Sequence, residues 1–236
     1  MKKTVFFDLD GTLLPMEQDL FVKAYFGLLA KKLAPHGYES EALLHAVWQG
    51  MGAMVANDGS RSNEEAFWAV FCGLLGEDCR KDEPIFAAFY ANEFQQVAQV
   101  CGKTAAAAET VGLCKELGAD VVLATNPLFP AVATESRIRW AGLERGDFRH
   151  VTTYENSSFC KPNPAYYREI LEKLGLRAED CLMVGNDATE DLAAAELGLP
   201  VFLLTDCLIN KNGVELNSLP HGGFEELQHW LRDRLA

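Results

Sequence analysis

Thr4-Val5-Phe6-Phe7-Asp8-Leu9-Asp10-Gly11-Thr12 is the stretch on which the fold turns. Its first four residues are β-branched or aromatic, a run that predicts a short buried strand. Gly11 then marks a turn. Two carboxylates, Asp8 and Asp10, therefore stand where a buried strand ends. Upstream, Met1-Lys2-Lys3 before an apolar run resembles the start of a secretory signal, but Asp8 and Asp10 interrupt it far too early. No run of roughly 18 uncharged apolar residues follows anywhere, so no membrane span is expected. A cytoplasmic protein is the expectation.

Downstream, over 17–100, the texture is helical. Leu20, Phe21, Ala24, Leu28 and Leu29 recur at helical spacing, as do Leu43, Leu44, Val47 and Met51. Ala66, Phe67, Val70, Phe71 and Leu74 repeat the pattern, and Ile85, Phe86, Phe89, Phe94 and Val97 continue it. Breaks fall at Pro35-His36-Gly37, at Asn57-Asp58-Gly59-Ser60 and over 76–84. The segment predicts about four helices, the size of a small bundle. Trp48, Phe67, Trp68 and Phe71 are expected in its core, or some of them along a substrate cavity.

After Cys101-Gly102 helices and strands alternate. Helices are expected over 104–117, from Thr125-Asn126-Pro127 to Trp140, over 161–174, 190–197 and 224–235. Strands are expected over 120–124, 150–153, 181–184 and 201–204, and 210–223 reads as a polar loop. Such alternation implies a parallel sheet with helices on both faces. The predicted fold is α/β: a Rossmann-like core of residues 1–16 and 101–236, with an all-helical cap, 17–100, inserted after the first strand. Gly27 and the flap Leu13-Leu14-Pro15-Met16 are candidate hinges.

Composition agrees with one compact unit plus an insertion. The chain has 236 residues, 49% of them hydrophobic and 23% charged, which excludes disordered and low-complexity classes. With 21 Lys+Arg against 34 Asp+Glu the net charge is −13. Bulk binding to nucleic acid or to an anionic membrane is excluded on that ground. An anionic substrate would need local positive charge or a metal. The seven cysteines are scattered without a CxxC pair and are expected to be mostly buried reduced thiols. The five histidines are dispersed and are not expected to bind metal.

In open α/β sheets ligands bind at the carboxyl ends of the strands. Those ends carry Asp8 and Asp10, then Thr125 and Asn126, then Lys161, then Asn186, Asp187 and Asp191. Carboxylates crowded at one rim call for a hard cation, and Mg²⁺ keeps positions for water and a substrate phosphate. The expected chemistry is phosphoryl transfer. Asp8 is the nucleophile and Asp10 the general acid and base. Thr125 donates to a phosphoryl oxygen and Lys161 neutralises charge. Gly11, Thr12 and Asn126 are expected at the phosphoryl group, and Arg61, in the loop 57–63, is expected to reach the substrate from the insert. Asp8, Asp10 through its carbonyl, Asp187 and Asp191 are the expected Mg²⁺ ligands.

These motifs, in this order, resemble those of the haloacid dehalogenase superfamily, and the insert is similar to that family's C1-type helical cap. The resemblance covers the whole chain. It implies a cap that closes over the site, excludes water and selects the leaving group. One departure stands out: the position after Gly185, acidic in the common pattern, is Asn186, so either Asn186 or Asp187 makes the inner metal contact. Asp at position 10 points to a phosphatase or a phosphomutase acting on a small phosphorylated metabolite. A catalytically silent binding protein is the other class in play, and a monomer or homodimer is expected.

Overall fold

Thr4–Phe7 forms β1, and all of its residues are buried. The computed structural model describes residues 2–235. Among the described residues β1 is joined in one parallel sheet by β2 (Asp120–Leu123), β3 (His150–Val151), β4 (Cys181–Gly185), β5 (Val201–Leu204) and β6 (His221–Gly222). The order is β3-β2-β1-β4-β5-β6. The chain leaves β1 toward β2 and β3, then returns to β4 on the other side. The switch point of the sheet therefore lies between β1 and β4, where ligands bind in such folds.

Register aligns the strand ends. Phe7 is level with Leu123 on one side and Val184 on the other. The Asp8 amide donates to the Val184 carbonyl at 2.9 Å, and the Ala124 amide to the Phe7 carbonyl at 2.7 Å. Thus Asp8, Thr125 and Asn186 leave the sheet along a single edge.

Side chains alternate across the sheet. Val5, Phe7, Val121 and Leu123 pack against α5 (Ala106–Glu116) and α8 (Phe224–Leu235). Phe6, Val122 and Met183 pack against α7 (Pro164–Leu174) and the 3-10 segment Leu192–Leu197. Helices thus cover both faces, as the alternating pattern requires.

Between β1 and α5 the chain is helical: α1 (Gln18–Leu33), α2 (Ser40–Val55), α3 (Asn63–Leu75), α4 (Glu83–Ala91) and a 3-10 segment, Glu93–Val100. These form their own core around Phe21, Tyr25, Leu29, Phe71, Phe89 and Phe94. Each buried ring contributes roughly 1.5–3 kcal/mol. The insert leaves and rejoins the core side by side: Met16 bridges Cys101, and the Gly102 amide donates to the Pro15 carbonyl at 2.6 Å. Helix α6 (Ala131–Trp140) lies between the two units, giving Ala133 to the insert's core and Ile138 to the sheet's.

Several expectations need correction. The loop expected over 210–223 ends in β6, too short to show a strand pattern. The expected helix over 190–197 narrows to 3-10 turns, because the acids before Leu192 are engaged in the turn described below. Trp48 is not core: it is 50% exposed and takes the other expected place, on a cavity wall. Gly27 lies within α1, with open space where a side chain would stand. Leu13 and Leu14 are fully buried, which leaves Pro15 and Met16 at the junction. Cys72 and Cys79 are joined by a disulfide, whereas Cys101, Cys114, Cys160, Cys181 and Cys207 are free. The separation of seven puts Cys72 near the end of α3 and Cys79 in the segment that folds back beside it. Among the described residues no helix is long and apolar enough to cross a membrane.

Candidate active site

Asp8 sits at the carboxyl end of β1, nearly buried. Its Oδ1 accepts from Lys161 Nζ at 2.8 Å, and the same ammonium donates to Asp191 Oδ1 at 2.7 Å. Lys161 is 1% exposed. Burial alone would lower its pKa, but Asp191 and Asp8 reverse this and hold it well above the ordinary lysine value. Burial pushes Asp8 up to about 7, with Lys161 pulling the other way and Asp191 and Asp10 adding repulsion.

The loop after β1 is shaped by contact with the β4 end. Gly11 has a φ of +86°, and a Cβ there would stand 2.3 Å from Asn186 Nδ2. Only glycine fits such a turn against a side chain. Thr12 Oγ1 donates to Asn186 Oδ1 at 2.8 Å and lies 3.5 Å from Asp8 Oδ2. Asn186 Nδ2 donates to the Cys207 carbonyl at 2.8 Å. Gly185 is required for the same kind of reason: a Cβ would meet Asp191 Oδ2 at 2.0 Å.

Asp191 uses both oxygens inside the protein, the second accepting from the Asp187 amide at 2.9 Å. Asp187 Oδ1 in turn accepts from the amides of Thr189 and Glu190, at 2.7 and 2.9 Å. Asp191 therefore holds Lys161 and the turn, a task that its spacing did not reveal. Asn126 braces three segments. Its Oδ1 accepts from the Lys161 amide at 3.3 Å, and its Nδ2 donates to Glu190 Oε1 at 3.0 Å. Thr125 is fixed through its carbonyl, which accepts from Thr152 Oγ1 at 2.7 Å and Tyr166 Oη at 2.9 Å.

Two residues absent from the sequence reading belong here. Arg137, on α6, is 1% exposed and pairs with Asp10 Oδ2, its guanidinium 4.3 Å from the Phe129 ring centroid. Asp10 Oδ1 is buried without a hydrogen-bond partner among the described residues. Burial raises the Asp10 pKa against the opposing pull of Arg137. Glu190 is the second, raised by burial to about 8. Nothing in the local sequence separates Arg137 from the neighbouring Arg139. Glu190 could have been noticed as a third acid between Asp187 and Asp191.

Arg61 is the correction at the site. It is exposed in the loop before α3 and does not line the cavity over Asp8. The loop is turned toward the core by its other residues. Asn63, fully buried, donates through Nδ2 to the Phe159 carbonyl at 3.3 Å and the Pro127 carbonyl at 3.4 Å, and Gly59 packs under Phe159.

The cavity over Asp8 holds about 730 Å³ and is walled by core and insert together. Among the described residues no three His, Cys, Asp or Glu side chains are gathered into a ready-made metal cluster. The donors still fit Mg²⁺, which takes one or two carboxylates and keeps several waters. Asp8 Oδ2 has only the long Thr12 contact, and Asp187 caps its turn through a single oxygen. Acids at the site outnumber the cations Lys161 and Arg137, and burial raises Asp8 and Glu190, an imbalance that a hard cation relieves.

A sheet that switches at β1, with a Lys161-bridged carboxylate pair at that point and a helical insert above it, defines a class. The chain belongs to the haloacid dehalogenase-like hydrolase family, whose model matches residues 2–198. A phosphoglycolate phosphatase of Rhodospirillum rubrum is 29% identical over 98% of this chain and 91% of its own length. One from Pectobacterium atrosepticum is 32% identical over 80% of this chain and 74% of its own. Among solved structures, a HAD phosphatase from Thermococcus onnurineus aligns over 98% of both chains with a TM-score of 0.57 at 19% identity. CbbY from Rhodobacter sphaeroides, in complex with phosphate, aligns over 96% of both with a TM-score of 0.59 at 17% identity. At such identities these structures speak to the fold.

Proposed function

We propose that this protein is a Mg²⁺-dependent phosphatase of small phosphorylated metabolites that works through an aspartyl-phosphate. The carrying observation is the buried ammonium of Lys161 bridging Asp8 and Asp191 at the switch point, beneath a cavity that the insert completes. The relatives named phosphoglycolate phosphatase support the same reaction class.

In this reading an Asp8 carboxylate oxygen attacks phosphorus and the bond from phosphorus to the ester oxygen breaks. Asp10 gives its proton to the departing oxygen. A water then attacks the aspartyl-phosphate, returns a proton to Asp10, and the bond from Asp8 to phosphorus breaks to release inorganic phosphate. Thr12 and the Gly11 turn orient the phosphoryl oxygens together with Thr125 and Asn126, and Lys161 offsets charge on Asp8 and phosphate. Asp8, the Asp10 carbonyl and either Asp187 or Asn186 would hold Mg²⁺, with Asp191 behind them. When bound, Mg²⁺ neutralises and orients phosphoryl oxygens. Arg137 keeps the Asp10 carboxylate on the side of α6.

A phosphomutase would need cations on the insert to grip a second phosphate. The insert's contribution to the cavity wall includes no Lys or Arg, which favours the hydrolase. The test is hydrolysis of 4-nitrophenyl phosphate with Mg²⁺. Asp8→Asn should abolish turnover, and Asp10→Asn should lower kcat about 10²–10⁴-fold. Full activity in Asp8→Asn would refute the mechanism. Tight phosphate binding without turnover by the native chain would mark a silent binding protein.

A further inference from the structure

The cavity over Asp8 has unlike walls. The core side carries the acids already described. The insert side carries Phe21, Tyr25, Phe26, Trp48 and Met51, facing Phe129 from the segment after β2. Trp48, half exposed, stands edge-on to Phe26 with ring centroids 5.2 Å apart. A half-exposed tryptophan on a cavity wall offers a large apolar contact area to a leaving group.

A second cavity of about 330 Å³ adjoins the first. Tyr25, Met51, Leu128 and Phe129 line both. Its lining is mostly apolar, with Leu29, Val47, Phe67, Trp68 and Phe86, and includes the acids Glu83 and Glu155. The Trp68 indole is buried there beside Tyr154. Tyr25 and Phe129 pack edge-on between the two spaces, ring centroids 5.4 Å apart, so the apolar surface that faces Asp8 is that of Phe21, Tyr25, Phe26, Trp48 and Met51.

Charge narrows the class further. Three cations near these walls are already paired. Arg137 is paired with Asp10, and Arg80, over the Trp68 ring, is paired with Glu64 and Glu83. Lys161 is held by Asp8 and Asp191. Lys211 lines the cavity from an exposed loop of the core, after β5. Glu17 and Asp19 stand at the start of α1 on the insert side, and Asp206 on the core side. A second anion on the substrate would lose its hydration and meet like charge, without a partner on the insert wall.

We propose that the insert wall selects phosphomonoesters whose leaving group is apolar or aromatic and carries no second negative charge, its body resting against Phe21, Phe26, Trp48 and Met51. This rests on the phosphatase reading above. It separates the chain from its phosphoglycolate phosphatase relatives, because the leaving group of phosphoglycolate bears a carboxylate.

The test compares kcat/KM for 4-methylbenzyl phosphate and 4-carboxybenzyl phosphate, which match in size and in the chemistry of the ester oxygen. The methyl compound should be preferred at least about tenfold, and benzyl phosphate should likewise exceed phosphoglycolate. Met51→Lys places a cation on the wall and should shift the methyl-to-carboxyl ratio about tenfold toward the carboxylate. Equal or better use of the carboxylates by the native enzyme overturns the proposal, whether or not the variant folds. So does a ratio that Met51→Lys leaves unchanged, which would put the discrimination elsewhere. Fastest turnover of phosphoglycolate overturns this inference while sustaining the phosphatase reading. No turnover of any ester, 4-nitrophenyl phosphate included, removes both.

Discussion

Lys161 shows how much one residue can depend on its surroundings. Its ammonium is buried between two carboxylates, so the three charges are stable only together. Removing one partner from a buried ion pair leaves uncompensated charge and costs about 3–5 kcal/mol. Lys161→Met should therefore lower unfolding free energy by about that amount in urea titrations, in addition to lowering activity. A variant as stable as the native chain would mean that the carboxylates are neutral, and that Lys161 does not hold them ionised. At this scale Asp8, Asp10, Gly11 and Thr12 were legible as a cluster because they are adjacent in sequence at a strand end. Arg137 was not, since a solvated arginine and a buried one look alike on a helix until the helix is packed. Arg61 failed for the converse reason: its loop faces the site's side of the molecule, but its neighbours Asn63 and Gly59 make the contacts.

Elements join these residues into a site. Asn63 caps nothing but carries the start of α3 onto the core through the Pro127 and Phe159 carbonyls. Asn63→Ala removes a fully buried donor and should cost about 1–3 kcal/mol. Thermal unfolding monitored by tryptophan fluorescence would show it, and an unchanged Tm would mean that the Asn63 side chain does not hold the insert to the core. Strand β3 carries a second measurable feature. Burial, assisted by the Lys173 and Arg145 charges, holds the His150 pKa below its ordinary value. The unfolded chain then binds a proton, near a pKa of about 6.5, before the folded one does. Stability should be unaffected at higher pH and fall as pH drops through that value toward the folded pKa. Comparing Tm between pH 8 and pH 5 in native protein and His150→Gln checks this, with the acid-side loss smaller in the variant. Equal losses would assign the effect to other groups. Strand and helix periods made most elements readable; β6 and the 3-10 turns at 192–197 were not, because two residues show no period and the acids of the preceding turn are bound side chain to backbone.

For the whole molecule the metal is the sharpest question. A ligand that binds only the folded state stabilises it by RT ln(1 + [L]/Kd), about 2.7 kcal/mol at a hundred times Kd. Mg²⁺ added to chelator-treated protein should therefore raise Tm and restore turnover, and Asp8→Asn should blunt the rise in Tm. A Tm indifferent to Mg²⁺ would remove the metal from the proposed site. The net charge of −13 also acquires a structural meaning. Part of the acidic excess is concentrated around the cavity, where it favours a cation at the core wall and disfavours a second anion on the substrate.

The sequence by itself determined the order of β1 to β5 and of most helices, the insertion after β1 and the convergence of motifs at the strand ends. Those depend on local periodicity and on the rule that parallel strands present their carboxyl ends on one side. Only the tertiary structure decided that Arg137 meets Asp10, that Asp191 holds Lys161 and that Glu190 joins the site. It also decided that the insert's contribution to the cavity wall is aromatic and without Lys or Arg. Each of these joins residues from segments distant in the chain, and whether a side chain is buried, paired or free is settled only when those segments pack.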